Sequence, residues 1–328
     1  MKAVTWRAFG PAQDVLSVED LPTPQPQAGE VLVKIAFSGV NPSDAKARSG
    51  ARPGVTKPPF EMIVPHSDGA GVIEAVGESV DPARIGERVW IWNGQWQRPL
   101  GTCADYVALP AAQAVTLPNH VSFEEGAVMG IPGLTAAHTV FGGDDVTGQT
   151  VLVSGGGGAV GYLAVQLAVW GGAHVIATCG ARDVERVKAA GARHVFDYAS
   201  PTLASDILTA TGGAGVNRSV EVELGANLAL LAEVMAPLGT IAAYGSAKDM
   251  SPELPFGPIL FKALKIDISL IYILPKVARD AAIARLHAAL ADGALSMEPP
   301  NVFGFEEAAA AHECVEAGGR KGAVLVAF

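Results

Sequence analysis

Charge is scarce in this sequence, and so are cysteine and aromatic residues. Only 17% of the 328 residues are Asp, Glu, Lys or Arg, and 6% are Phe, Trp or Tyr. Low charge beside 49% hydrophobic content excludes a disordered chain, which needs the opposite balance. The 23 basic residues are outnumbered by 33 acidic ones, a net charge of −10. A surface for nucleic acid needs clustered Lys and Arg, so no nucleic-acid partner is expected. The three cysteines, Cys103, Cys179 and Cys314, cannot build a disulfide scaffold and stand too far apart in sequence for a zinc cluster. They read as small buried residues, because nothing suggests a paired base or a lowered thiol pKa. Long apolar runs are also missing. The stretch ISLIYIL at 268–274 is of buried-strand length, far below the ~20 residues of a membrane span. The first residues, MKAVTWRAFGPAQDV, lack the apolar centre of a signal peptide. A cytoplasmic, reducing-compartment protein with no membrane partner is expected.

What is present has two textures. At this length about three quarters of the unfolded chain's surface can be buried, and two domains are expected. Residues 1–120 carry short β-like runs cut by Pro and Gly: EVLVKIAF at 30–37, GVIEAV at 71–76, ERVWIW at 87–92 and ADYVALP at 104–110. This spacing predicts a small, mainly antiparallel β domain. From 121 onward apolar strands alternate with Ala-rich helices. The strands are TVLVS at 150–154, HVIATC at 174–179, HVFDY at 194–198, SVEV at 219–222, TIAAYG at 240–245 and KIDISLIYI at 265–273. Such alternation predicts a doubly wound parallel sheet covered on both faces. After a helical stretch at 276–292, the tail returns to β texture and ends in AVLVAF. The expected division is therefore 1–120 with 274–328 for the first domain and 121–273 for the second, an α/β fold in which the last strand completes the first domain.

The TVLVS strand runs into a glycine-rich turn and then an apolar helix. Within it, Gly156, Gly158, Ala159, Val160 and Gly161 form a G-x-G-x-x-G pattern in its strand–turn–helix setting. Glycines there let backbone N–H groups approach a pyrophosphate that faces the helix N-terminus, which predicts a nicotinamide dinucleotide. An NAD-binding strand places an acid about 20 residues on, at the ribose diol. Here HVIATC is followed by Gly180, Ala181 and Arg182, with no acid before Asp183. Arg182 suits a 2′-phosphate, and Asp183 reads as the N-cap of the next helix. NADPH is the expected cofactor.

With these strings in this order, the chain resembles the quinone oxidoreductase, or zeta-crystallin-like, branch of the zinc-independent medium-chain dehydrogenase/reductase superfamily. The carriers are SGVNPSDAKARSG at 38–50, PHSDGAGVIEAVG at 65–77, IGERVW at 85–90, GAVMGIPGLTAAH at 126–138, VLVSGGGGAVGYLAVQLA at 151–168 and AAYGS at 242–246. The resemblance implies a Rossmann domain joined to a GroES-like, mainly β catalytic domain, NADPH use, and a cleft for nicotinamide and substrate. It also implies a homodimer, or a tetramer built from it, joined edge to edge with KIDISLIYI at the seam. Zinc-dependent relatives carry Cys near position 38 and Gly-His-Glu near 66–68, where this chain has Ser38, His66, Ser67 and Asp68. No metal is expected, and His66 reads as a polar turn or hinge residue.

Hydride addition to a quinone or enone leaves negative charge on a carbonyl oxygen, and without a metal other groups must stabilise it. In the family two tyrosines occupy the places matching Lys46 and Arg52. Both are cations here, which suits an electrophilic pocket for an anionic or polar acceptor, or else two charges in solvent. Asn41 matches a residue near nicotinamide and ribose, where its amide can donate; a plain turn residue is the other reading. Thr135, Tyr198, Gly245, Ser246, Tyr272 and Lys321 match places lining the cofactor cleft. Trp90, Trp92 and Trp96 read either as a wall for flat substrates or as hydrophobic filling. The implied function is NADPH-dependent reduction of a small-molecule quinone or α,β-unsaturated carbonyl. Alternatives are reduction of an unsaturated acid or enoyl thioester, and a crystallin-like structural or RNA-binding role. The acidic composition disfavours the last.

Overall fold

A computed structural model of the chain describes residues 1–51, 54–143 and 145–328. They form two compact units, Met1–Ile131 with Met297–Phe328, and Pro132–Ser296. The first unit is built on the long strand Glu30–Val40, which pairs antiparallel with Asp68–Val76, Tyr106–Pro110 and Val324–Ala327. Period-2 alternation turns Val31, Val33 and Ile35 to one side, where they pack with Ile73, Val89, Ile91, Val107 and Leu109. The last strand of the chain thus completes the first unit. It also carries Asn301–Gly304 beside it in parallel.

The second unit holds a six-stranded parallel sheet in the order His194–Asp197, His174–Cys179, Thr150–Ser154, Val216–Glu221, Met235–Ala243, Lys265–Ile268. Numbered within the unit this is 3-2-1-4-5-6, the Rossmann order, and it reverses between Thr150–Ser154 and Val216–Glu221. Val151, Leu152 and Val153 are all fully buried, as expected for a central strand covered on both faces.

Two expectations need correction. The domain boundaries fall later, at 131/132 and 296/297 rather than 120/121 and 273/274. Residues after 120 stay with the first unit because Arg88 lies 4.4 Å above the Phe123 ring and the Ile131 N–H donates to Asp68 Oδ1 at 2.8 Å. Helix Lys276–Ala291 stays with the second because Arg285 covers the Phe141 ring at 4.9 Å and Gln166 exchanges hydrogen bonds with Ser296. The edge strand expected over 265–273 ends at Ile268, since its partner ends at Ala243, and a 3-10 turn follows at Ile271–Ile273. Of the two readings of the tryptophans, burial favours hydrophobic filling for Trp90, which is fully buried opposite Ala70 and Val115, while Trp92 and Trp96 are half-buried.

Candidate active site

All six strands of the second unit point the same way, so their C-terminal ends share one edge, and the loops that follow them carry Gly156, Gly158, Arg182, Tyr198, Gly245 and Ser246. Gly155 turns the chain out of Thr150–Ser154 with φ +70°, and the Gly156 N–H donates to the Thr178 carbonyl at 2.8 Å. Gly158 is the N-cap of helix Ala159–Trp170. Its lack of a capping side chain leaves the first-turn N–H groups without a local side-chain acceptor. The packing explains the glycines. A Cβ on Gly161 would stand 2.2 Å from the Gly155 carbonyl oxygen, and one on Gly156 would press on Val187 and Ala177 at 3.1 and 3.2 Å. This close-packed backbone cradle fits a pyrophosphate.

Arg182 follows strand His174–Cys179, with its side chain 59% exposed. Tyr198 is largely exposed, its ring beside Gly180, and Lys248 Nζ stands 5.9 Å from the ring centroid. Gly245 has room for no side chain, since a Cβ would meet the Val222 carbonyl oxygen at 2.6 Å. The Ser246 hydroxyl accepts the Gly225 N–H at 2.9 Å. Thr135 is buried in the first turn of helix Leu134–Phe141, and Tyr272 is half-buried in the 3-10 turn.

Two acids at this edge escaped the sequence reading. Glu221 ends its strand fully buried, accepting from the Ser154 hydroxyl at 2.5 Å, the Glu223 N–H at 2.5 Å and the Asn227 amide at 2.9 Å. Burial raises its pKa against the pull of those bonds. Glu223 does the reverse. Burial pushes it up, but the N–H groups of Lys248 and Ala247 and the Ser246 hydroxyl hold it below the usual carboxylate range. These bonds clamp the 245–248 loop over the end of Val216–Glu221. The SVEV string held both clues, an acid inside an apolar strand and another just beyond it.

Asp183 corrects a further expectation. It stands at the N-cap of helix Val184–Ala189 but makes no capping bond. Its carboxylate instead lies under the glycine turn, 2.7 Å from where a Cβ of Gly157 would be, and pairs with Arg186 at 2.9 Å. A backbone at φ −101° and ψ −4° turns the side chain away from the helix N–H groups.

The first unit holds the remaining residues. Asn41 precedes helix Pro42–Ser49 and is buried; its amide Nδ2 donates to Asp68 Oδ2 at 2.8 Å, and its N–H to Asp44 at 2.8 Å. It is therefore more than a turn residue, although one amide proton is already engaged. Lys46 is exposed on that helix, and Lys321 is exposed near the last strand. Arg52 lies outside the described residues.

At the places where zinc relatives bind metal stands a buried hydrogen-bonded chain. Thr102 Oγ1 donates to the Asp68 carbonyl at 2.6 Å and meets Ser38 Oγ at 2.7 Å. Ser38 meets His66 Nδ1 at 2.9 Å, and His66 Nε2 meets His312 Nε2 at 2.9 Å. One proton order satisfies each donor: His312 to His66, His66 to Ser38, Ser38 to Thr102, Thr102 to the carbonyl. The opposite order would leave a buried N–H on His312 Nδ1, which has no partner. Burial first, then the neighbouring His312, depresses His66 well below its ordinary pKa; burial and Arg48 bring His312 down to about 3. His66 adopts φ +77°, so the expected turn residue is also a link in this chain. Both of its nitrogens are engaged and Ser38 offers a hydrogen-bonded hydroxyl, so this donor set does not fit zinc. Among the described residues no three His, Cys, Asp or Glu side chains gather as a metal site. Burial raises the thiol pKa values of Cys103 and Cys179, the latter to about 11, while Cys314 is half-buried rather than buried.

Comparison with known proteins agrees with this layout. The alcohol dehydrogenase GroES-like domain family matches residues 27–119, and the zinc-binding dehydrogenase family matches 159–287. The quinone oxidoreductase of Rattus norvegicus is 31% identical over 230 residues, 70% of this chain and 68% of the relative. A mycobacterial protein solved with NADPH superposes with TM-score 0.87 at 28% identity over the whole of both chains. An NAD-dependent alcohol dehydrogenase does so with TM-score 0.87 at 29%. Both dehydrogenase domains are thus matched in one chain, and the chain belongs to the quinone oxidoreductase branch of the medium-chain dehydrogenase/reductase superfamily.

Proposed function

We propose that the chain is an NADPH-dependent, metal-independent reductase acting on a quinone or an α,β-unsaturated carbonyl. The observation that carries this reading is the close-packed glycine cradle beside an exposed Arg182, with no acid ending the second strand. The NADPH complex of the mycobacterial relative and the quinone oxidoreductase relatives support it. When bound, the dihydronicotinamide supplies the hydride. The first-turn N–H groups of Ala159, Val160 and Gly161 would hold the pyrophosphate, Gly156 and Gly158 shaping the turn with their own N–H groups on the Thr178 and Gly155 carbonyls, and Arg182 and Tyr198 would hold the adenosine phosphate. Thr135, Gly245, Ser246, Tyr272 and Lys321 would line the rest of the cofactor. Asn41 would donate its second amide proton to the acceptor oxygen or the cofactor, its orientation fixed by Asp68. The cations Lys46 and Arg52 would lower the energy of charge developing on that oxygen.

An NADPH-oxidation screen over quinones, enones, enoyl acids and enoyl thioesters tests the reading. Turnover of quinones or enones supports it. Turnover confined to enoyl acids or thioesters would move the protein to the alternative class, and oxidation of no acceptor would contradict an enzymatic role.

A homodimer is proposed as well. The edge strand Lys265–Ile268 exposes Ile266 and Ile268, and nearby in sequence Phe261 is 89% and Val277 83% exposed. Apolar side chains of this size along an unpaired sheet edge are what a strand-to-strand dimer covers.

A further inference from the structure

An acid, Asp183, stands four residues beyond the end of the second strand and is paired with a cation. Asp183 and Arg186 are both nearly buried, with side chains 11% and 12% exposed. The Arg186 guanidinium does three things at once. It pairs with Asp183 Oδ1 at 2.9 Å, donates to the Gly157 carbonyl at 2.6 Å, and lies over the Tyr162 ring at 5.1 Å. The opposite carboxylate oxygen, Oδ2, is 3.6 Å from Arg182 Nε and fills the space that a side chain at Gly157 would need. The acid's charge reaches the end of the strand: after burial, Asp183 is the next influence raising the Cys179 thiol, and Arg186 opposes it.

We infer that Arg186 is a positioning residue for cofactor choice: it holds the Asp183 carboxylate beneath Gly157 and cancels its charge, so that no acid faces the ribose diol and the 2′-phosphate meets cations alone. Arg suits this task because its planar fork serves a carboxylate and a carbonyl together. An unpaired carboxylate at the same place would accept from a ribose diol and repel a phosphate. The inference rests on the NADPH reading and adds to it the residue that keeps an acid in this loop compatible with that cofactor.

The test is equilibrium binding of NADPH and NADH, without acceptor, to the parent and to the Arg186→Met, Arg186→Lys, Asp183→Asn and Asp183→Asn/Arg186→Met variants. The parent should prefer NADPH. Arg186→Met should weaken NADPH by about tenfold, the scale of one unscreened like charge nearby, while NADH binding holds or improves. Arg186→Lys should retain most of the preference, and Asp183→Asn should leave it intact or slightly larger. In the double variant the preference should return, because the acid is gone. Equal weakening of both cofactors by Arg186→Met would reduce Arg186 to a loop support and overturn the inference. So would a preference that stays lost in the double variant. If Arg186→Met does not fold, a loss of preference in Asp183→Asn alone would overturn it just as directly. A parent without preference would instead overturn the NADPH reading itself, and the inference with it.

Discussion

The two polar centres of this protein are built in opposite ways. In the second unit the functional groups are mostly backbone, contiguous from Gly155 to Gly161, and made usable by removing side chains. In the first unit they are side chains drawn from positions 38, 66, 102 and 312 and saturated by one another. The comparison separates a site that waits for a ligand from a site that has already satisfied its donors. At Ser38, His66, Thr102 and His312 the chain spends its polar groups on itself.

The sharpest way to break the comparison is Gly161→Ala. The added methyl would meet the Gly155 carbonyl at 2.2 Å, and backbone cannot yield as a flexible side chain does. A clash worth about 3 kcal/mol is relieved by displacing the Gly155–Gly161 backbone that would face the pyrophosphate, which predicts a roughly hundredfold loss of NADPH affinity. Calorimetric titration checks it. Unchanged affinity would mean that the cradle is a bystander.

In the first unit the matching change is His312→Leu. It leaves the His66 Nε2 lone pair buried without a donor, at a cost of about 1–3 kcal/mol, read as a lower Tm and denaturation midpoint with NADPH affinity unchanged. An equal loss of NADPH affinity would show that the chain of hydrogen bonds serves the cofactor.

The same residues set an acid limit. His66 and His312 are depressed in the folded state, so the unfolded chain takes up their protons first as pH falls below about 6.5. Their contribution to stability is complete above that pH and is lost as pH falls toward about 3, where folded His312 titrates. His312→Leu should therefore flatten the stability–pH slope by about 1.4 kcal/mol per pH unit within this window. Denaturation at pH 7, 6, 5 and 4 measures it, and parallel slopes would contradict the buried neutral pair.

The smallest effect is expected at Lys46, which is exposed. Lys46→Tyr should change stability by less than about 0.5 kcal/mol and leave NADPH binding alone. If the ratio of kcat/KM for an anionic over a neutral acceptor also stays fixed, Lys46 merely points into solvent.

How much was legible in the sequence follows the same division. The strand TVLVS and helix AVGYLAVQLAVW agree with the structure to within a residue, because strand, turn and helix signals are local and adjacent. The hydrogen-bonded chain was not legible. Ser38, His66, Thr102 and His312 span 274 positions, and only tertiary pairing brings them together. Asp183 shows the subtler failure. Its position at a helix start is right, yet the competing pull of Arg186 and Arg182, rather than the helix N–H groups, decides where the carboxylate goes. The overlong edge strand has a similar cause, because Met235–Ala243 stops first and KIDISLIYI has nothing further to pair with.

The most direct test of the account is a pair of titrations of the parent chain, NADPH and NADH, at one salt concentration and without acceptor. The cradle beside an exposed Arg182 predicts that NADPH binds tighter by about tenfold or more, the scale of a charge-assisted pair with the 2′-phosphate. Equal affinities, or tighter NADH, would contradict it.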